Sequence, residues 1–300
     1  MQNNGDKFCG AAIMLPRFGI KMVVCDLDGT LLKNDRTLSE YTIEVLNILR
    51  TRGIKFAIAT ARSVVGARVA TDYIKPDLLI YNGGAAACGA ARYNMGLKGE
   101  LASDIIAKIL SYGQTVITAE CGDNFYYNDE YIAAQSPYIS QLRECGHSLV
   151  HTDFANGVPA LESALEPESG SVREPGRGHG SMDVHKVNAI MDMDIAKAIA
   201  KSFDDVDVLG YRGERWVRFG HKNAGKWAAL KACALQMGID TDCIAAFGDD
   251  YNDIDMLANV GLGVAMGVGL DAAKAAAKYV CGSNDDDAVA KWIDEHILRD

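Results

Sequence analysis

Two acidic clusters, each placed directly after a short apolar run, are the residues of this chain best suited to chemistry. Asp26-Leu27-Asp28-Gly29-Thr30 follows the apolar residues 22–25, and Gly248-Asp249-Asp250-Tyr251-Asn252-Asp253 follows residues 244–247. Asp26 and Asp28 stand two positions apart where the chain leaves a strand, so both can reach one cavity, and Gly29 permits a tight turn there. Carboxylates this close repel one another. Such a pair either binds a divalent cation or keeps one acid protonated. Asp249 and Asp253 bring further carboxylates to the same sheet edge, and hard oxygen donors suit Mg²⁺. A bare Asp-x-Asp, or an acidic loop, is otherwise a solvated turn; the apolar strand before each cluster is what argues for a site. Two single residues complete the set. Thr60 ends a second apolar run, where its hydroxyl and the N–H groups of a following helix can hold an anion, although a plain helix cap has the same look. Lys226 opens a helical stretch, and its ammonium can screen a nucleophilic carboxylate and a phosphoryl group, although most lysines are surface lysines.

The elements that must position these residues alternate strand with helix. Strands are expected at 22–25, 54–59, 78–81, 244–247 and 260–264. Helices are expected from a Thr37-x-x-Glu40 capping box to Gly53, and at 64–74, 224–237, 252–257, 271–278 and 287–297. This alternation implies an α/β fold, a doubly wound parallel sheet covered on both faces. Ligands of such sheets bind at the C-terminal strand ends, where both acidic clusters lie. The stretch 86–214 reads differently, mixing helices at 101–112 and 194–203 with separate strands at 116–119, 125–127 and 206–209. It is expected to be an inserted α+β domain, dividing the first domain into 21–85 and 215–300, with 1–20 as an extension. Within the insert, 166–181 is rich in Pro, Gly and Ser and reads as a mobile loop.

Composition narrows the function classes. The 300 residues, 49% of them hydrophobic, suffice for two domains, and the net charge of −10 disfavours nucleic acid and anionic membranes as partners. The eight cysteines are scattered with no Cys-x-x-Cys pair, the usage of reduced, buried thiols. The apolar patch at 9–15 is weak as a signal peptide and too short to span a membrane, so a cytoplasmic protein is expected.

Taken together, the four elements resemble the haloacid dehalogenase superfamily of phosphohydrolases. Asp26-Leu27-Asp28-Gly29-Thr30 matches its nucleophile motif, Thr60 its second, Lys226 its third and Gly248-Asp249-Asp250-Tyr251-Asn252-Asp253 its acidic fourth. The large insert between second and third motifs is similar to a class II cap on a Rossmann-like core. Asn82-Gly83-Gly84 and the run Val260–Gly267 look like the Cof-type group of sugar-phosphate and cofactor-phosphate phosphatases. The resemblance covers about residues 22–85 and 215–298 well, and the cap only by position and size. One departure is Ala61 after Thr60, where the family often has Gly; an Ala fits if its φ is negative.

The resemblance implies roles. Asp26 would attack phosphorus to form an aspartyl-phosphate, and Asp28 would act as general acid and then base. Mg²⁺ would sit among Asp26, the Asp28 backbone carbonyl and Asp249, with Asp253 acting through water or by orienting Lys226. Thr60, Ala61, Arg62, Asn82, Gly83, Lys226 and Asn252 would bind the phosphate. The substrate is a small-molecule phosphate ester, and the protein a monomer or weak homodimer. Residues offered as substrate selectors are Arg173, Arg177, His179, Asp183, His185 and Lys186, with Tyr126, Tyr127 and Tyr131 as ring-stacking or core side chains. Two other readings stay open: a phosphomutase of the same superfamily, and a catalytically silent metabolite-binding regulator.

Overall fold

The computed structural model describes residues 19–113, 115–122, 124–131, 148–154, 183–210 and 215–299. The chain divides into two compact units, one of Met1–Arg62, Ala67–Tyr93 and Gly225–Asp300, the other of Ser63–Gly66 and Asn94–Ala224.

The first unit is built on an eight-stranded sheet. In chain order its strands are β1 (Met22–Cys25), β2 (Lys55–Ala59), β3 (Leu78–Tyr81), β4 (Ala86–Gly89), β5 (Tyr93–Asn94), β12 (Ile244–Gly248), β13 (Leu262–Ala265) and β14 (Tyr279–Val280). Across the sheet they run β14-β13-β12-β1-β2-β3-β4-β5, parallel from β14 to β3, with β4 antiparallel to β3. Val24 pairs with Ala57 and Ala246, so alternate residues of each strand share a face. Met22, Val24, Ala57, Ala59 and Ala246 form one buried layer with Leu230 and Cys233 of helix α5 (Lys226–Gln236) and with Met256 and Leu257 of α6 (Ile254–Asn259). On the other face Phe247 meets Trp292 of α7 (Ala288–Ile293), ring centroids 5.4 Å apart, and α7 lies against α1 (Glu40–Thr51). A sheet buried on both sides needs the near-continuous apolar strands seen in the sequence.

Several boundaries differ from expectation. The first helix is capped by Ser39, whose side chain accepts from Thr42 N, while Thr37 bonds to Asp35 instead of forming a capping box. The helix expected over 64–74 begins only at Arg68 as α2 (Arg68–Ile74), because Thr60 and Ser63 hydroxyls take the N–H groups of Arg62 and Gly66 and hold the intervening chain in turns. Residues 86–94, expected in the insert, extend the first sheet. Asn82, Gly83 and Gly84 have φ of 52, 66 and 89°, and this left-handed run reverses the chain so that Tyr81 pairs with Ala86. At the other end Trp216–His221 belongs to the second sheet, so the units part before Gly225.

The second unit holds a six-stranded sheet ordered β10-β11-β9-β6-β7-β8, antiparallel except for β7 with β8. These strands are β6 (Ile117–Cys121), β7 (Asn124–Tyr127), β8 (Ser148–His151), β9 (Lys186–Ile190), β10 (Val206–Gly210) and β11 (Trp216–His221). Ile117, Ala119, Val187, Ala189, Val217 and Phe219 bury against α3 (Gly99–Leu110) and α4 (Met193–Ala200). The opposite face carries Thr118, Glu120, Lys186, Asn188 and Arg218, all buried. Residues 1–18 of the expected extension and the loop at 166–181 lie outside the described residues. Among the described residues no helix is long and apolar enough to cross a membrane.

Candidate active site

The central strands β1 and β12 deliver their acids side by side. Asp26 N donates to Phe247 O, so the ladder runs to the last strand residue before both motifs. The chain then turns: Leu31 N donates to Asp26 O and Leu32 N to Leu27 O. Gly29 sits in this turn at φ 77°, and a Cβ there would lie 2.5 Å from Asp249 Oδ2. Both facts demand glycine. Thr30 Oγ1 donates to Asp249 Oδ1 at 2.8 Å and so orients that carboxylate. Thr30 was not singled out from the sequence; its position within the first motif was the signal.

Lys226 is the centre of the site. Its side chain is fully buried, and Nζ donates to Asp26 Oδ1 and Asp253 Oδ1, each at 2.7 Å. Asp253 Oδ2 accepts from the N–H groups of Asp249 and Asp250 at 3.0 and 3.1 Å. Asp253 therefore ties the helix-borne lysine to the turn after β12. Lys226 reaches this place because α5 starts hard against the β3–β4 turn: a Cβ on Gly84 would lie 2.1 Å from Gly225 C. The Gly84 of the sequence motif is thus a matter of backbone approach, which only the fold reveals.

Asp26, Asp249 and Asp253 bring carboxylate oxygens within 4.8 Å of one another, all buried. Burial holds Asp26 well above the usual carboxylate range; Lys226 opposes this, while Asp253 and Asp249 add to it. Burial likewise pushes Asp249 up to about 6, against the Thr30 hydrogen bond and with the help of Asp253. Burial would lower Lys226, but the charges of Asp253 and Asp26 outweigh it and raise the ammonium's pKa. Three carboxylates sharing one ammonium leave the cluster short of positive charge. Its all-oxygen donor set fits a hard divalent cation, which would supply that charge. Asp28 stands apart from this cluster. Its side chain is 53% exposed and pairs with Arg62.

The second motif is braced through its backbone. Thr60 is buried; its N–H donates to Ile80 O, its C=O accepts from Gly83 N, and its hydroxyl accepts from Arg62 N at 3.1 Å. No helix starts at Thr60, so the helix-terminus anion site expected there is not formed; the hydroxyl keeps a proton to donate. Ala61 lies outside the left-handed region, as its side chain requires. Asn82 N donates to Arg62 O, so Asn82 and Gly83 together clamp residues 60–62. Asn252 lies in a 3₁₀ turn (Tyr251–Asp253), with a buried Oδ1 that has no hydrogen-bond partner among the described residues.

Asp26, Lys226, Asp249 and Asp253 meet in one cluster on the first unit. The chain matches the haloacid dehalogenase-like hydrolase family over residues 23–293. It belongs to that family. It is 27% identical over 301 residues to a 5-amino-6-(5-phospho-D-ribitylamino)uracil phosphatase of Bacillus subtilis, covering 92% of this chain and 97% of the relative. It is 26% identical over 294 residues to a pyridoxal phosphate phosphatase of Escherichia coli, covering 93% and 99%. The structure of a HAD subclass IIB sugar phosphatase superposes with a TM-score of 0.72 at 20% identity, over 92% of this chain and 98% of that one. The family, the hydrolase class and the α/β fold with a parallel sheet accord with the Cof-type resemblance in the sequence.

The described residues among those offered as substrate selectors belong to the second unit. Arg173, Arg177 and His179 lie outside the described residues. Asp183 accepts from Lys98 Nζ at 2.7 Å and from Asn94 Nδ2 at 3.0 Å. Lys186 pairs with Glu120 at 3.1 Å, both side chains buried. His185 is buried, which lowers its pKa against the raising charges of Glu120 and Asp183. Tyr126 belongs to the helix-side core, while Tyr127 and Tyr131 stack with Phe125 in a separate aromatic cluster.

Proposed function

We propose that this hydrolase is a Mg²⁺-dependent phosphatase of small phosphate monoesters, sugar or cofactor phosphates, working through an aspartyl-phosphate on Asp26. The observation that carries the proposal is the buried Lys226 shared by Asp26 and Asp253 beside Asp249. Lys226 occupies Oδ1 of Asp26, so Oδ2 is the oxygen left to attack phosphorus. As that bond forms, the ester P–O bond breaks, and Asp28 protonates the departing oxygen. Asp28 then takes a proton from the water that cleaves the acyl-phosphate, which frees Asp26 and releases phosphate. Lys226, the Thr60 hydroxyl and Asn252 hold phosphoryl oxygens and neutralise their charge.

The donor chemistry of Asp26, Asp249 and the Asp28 carbonyl suits Mg²⁺, which when bound would screen the charge between nucleophile and phosphate. Asp253 serves by holding Lys226 and the turn of Asp249. Relatives named for a phosphoribitylamino-uracil and for pyridoxal phosphate support small phosphorylated metabolites as the substrate class. The test is phosphate release from a panel of monoesters, with Mg²⁺ or EDTA, beside Asp26→Asn. Metal-dependent release by the wild type alone supports the proposal. Equal release by the variant, or with EDTA, refutes it.

A further inference from the structure

Asp28 does not face the acidic cluster. Its Oδ2 accepts from Arg62 Nε at 2.7 Å and its Oδ1 from Nη2 at 2.6 Å, a two-pronged guanidinium–carboxylate fork. Arg62 is itself fixed, its N–H on the Thr60 hydroxyl and its C=O on Asn82 N. The guanidinium thus hangs from the same short segment whose Thr60 is proposed to meet the phosphoryl group. Both oxygens of Asp28 accept from the guanidinium, so the carboxylate is held there as the acceptor of Arg62. A guanidinium fork matches phosphate as well as it matches carboxylate. The pair is also open to solvent, its side chains 22% and 53% exposed, whereas the Lys226 pairs are sealed. Ion pairs exposed in this way change an equilibrium only a few-fold, so an incoming dianion can displace one.

We propose that Arg62 is a latch with two partners. In the empty site it holds Asp28; when a phosphate group enters, the guanidinium passes to that group and Asp28 is freed from the fork. Arg62 is then a positioning residue for Asp28 as well as a phosphate ligand. The latch rests on the phosphatase reading above, and it adds that substrate arrival itself frees Asp28.

The consequence runs against intuition: neutralising Asp28 should improve binding of phosphate, through Arg62. The test is a ³¹P NMR titration with inorganic phosphate in Mg²⁺, which reads millimolar as well as tighter binding. It uses the full chain as wild type, Asp28→Asn, Arg62→Gln and the double variant. Asp28→Asn is expected to bind phosphate about two- to fivefold more tightly than wild type. In the Arg62→Gln background the same change should bring no gain. An equal gain in both backgrounds shows simple removal of a negative charge and overturns the latch, as does no gain in either. If Arg62→Gln does not fold, as judged by circular dichroism, Arg62→Lys takes its place. It keeps the charge but not the fork, and at least half of the gain should be lost. Failure of the wild type to bind phosphate or to release it from any ester overturns the phosphatase reading and the latch together. A phosphatase without the Arg62-dependent gain overturns the latch alone.

Discussion

Replacing Lys226 with Met keeps most of the length of the side chain and removes its charge. Asp26 and Asp253 then share a buried site with no ammonium between them. Removing one partner of a buried pair costs about 3–5 kcal/mol. The structure divides this cost unequally. Asp253 still accepts two backbone N–H groups, so the penalty falls on Asp26. Asp26 has a way out, which is to take up a proton. From an ordinary value of 3.8, protonation at pH 7 costs about 4 kcal/mol, at 1.36 kcal/mol per pH unit. At pH 5 the same route costs under about 2 kcal/mol. The sign follows from linkage. An acid whose folded pKa lies above its unfolded value contributes stability at low pH that is lost as pH rises. Lys226 holds that rise down in the wild type, so its loss raises Asp26 further and the penalty of Lys226→Met grows from pH 5 to pH 7. Urea denaturation of wild type and variant in EDTA, at pH 5, 6 and 7, should show a difference that rises with pH toward a ceiling of about 4 kcal/mol at pH 7, since Asp26 is already held high in the wild type. A difference below about 1 kcal/mol at pH 7, or one independent of pH, refutes the reasoning. Mg²⁺ should reduce the penalty, because it supplies charge to the same carboxylates.

Three further outcomes are expected. Asp28→Ala should lower turnover by about 10²–10⁴ with alkyl phosphates, whose leaving groups need a proton, and less with aryl phosphates; equal losses on both would deny it the acid role. Gly29→Ala places a Cβ 2.5 Å from Asp249 Oδ2 at φ 77°. It should destabilise the fold by about 1–2 kcal/mol and weaken Mg²⁺ binding in a calorimetric titration; unchanged metal affinity would mean Asp249 is not a ligand. Burial pushes the Cys121 and Cys233 thiols up to about 11 and Cys281 to about 12. Cys121 and Cys233, both buried, should resist alkylation at pH 8 in the native protein and react in urea, read by mass spectrometry, and native labelling at a rate typical of free thiols would contradict their burial.

The acids were legible in the chain because their setting is local. Each follows a strand that is apolar throughout, and in a parallel sheet the ends of such strands collect at one edge. Tyr279–Val280 escaped notice because two residues carry no periodicity, and the late start of α2 because side-chain hydroxyls, not propensity, hold the chain before it. The α1 cap was placed two residues early because Thr37 and Ser39 are both good caps, and Asp35 had already engaged Thr37.

The sequence by itself determined the strand–turn acids, the alternation of elements and the family motifs, all short-range patterns of residue type. Only the tertiary structure decided what each acid touches. Thr30 meets Asp249, Arg62 meets Asp28, Gly84 admits Gly225, and Lys226 lies between Asp26 and Asp253. These partners come from different strands, turns and helices, and no local preference of the backbone encodes their meeting. They are brought together because the two faces of the sheet must be buried, and the packing that buries them sets which polar ends converge at its edge.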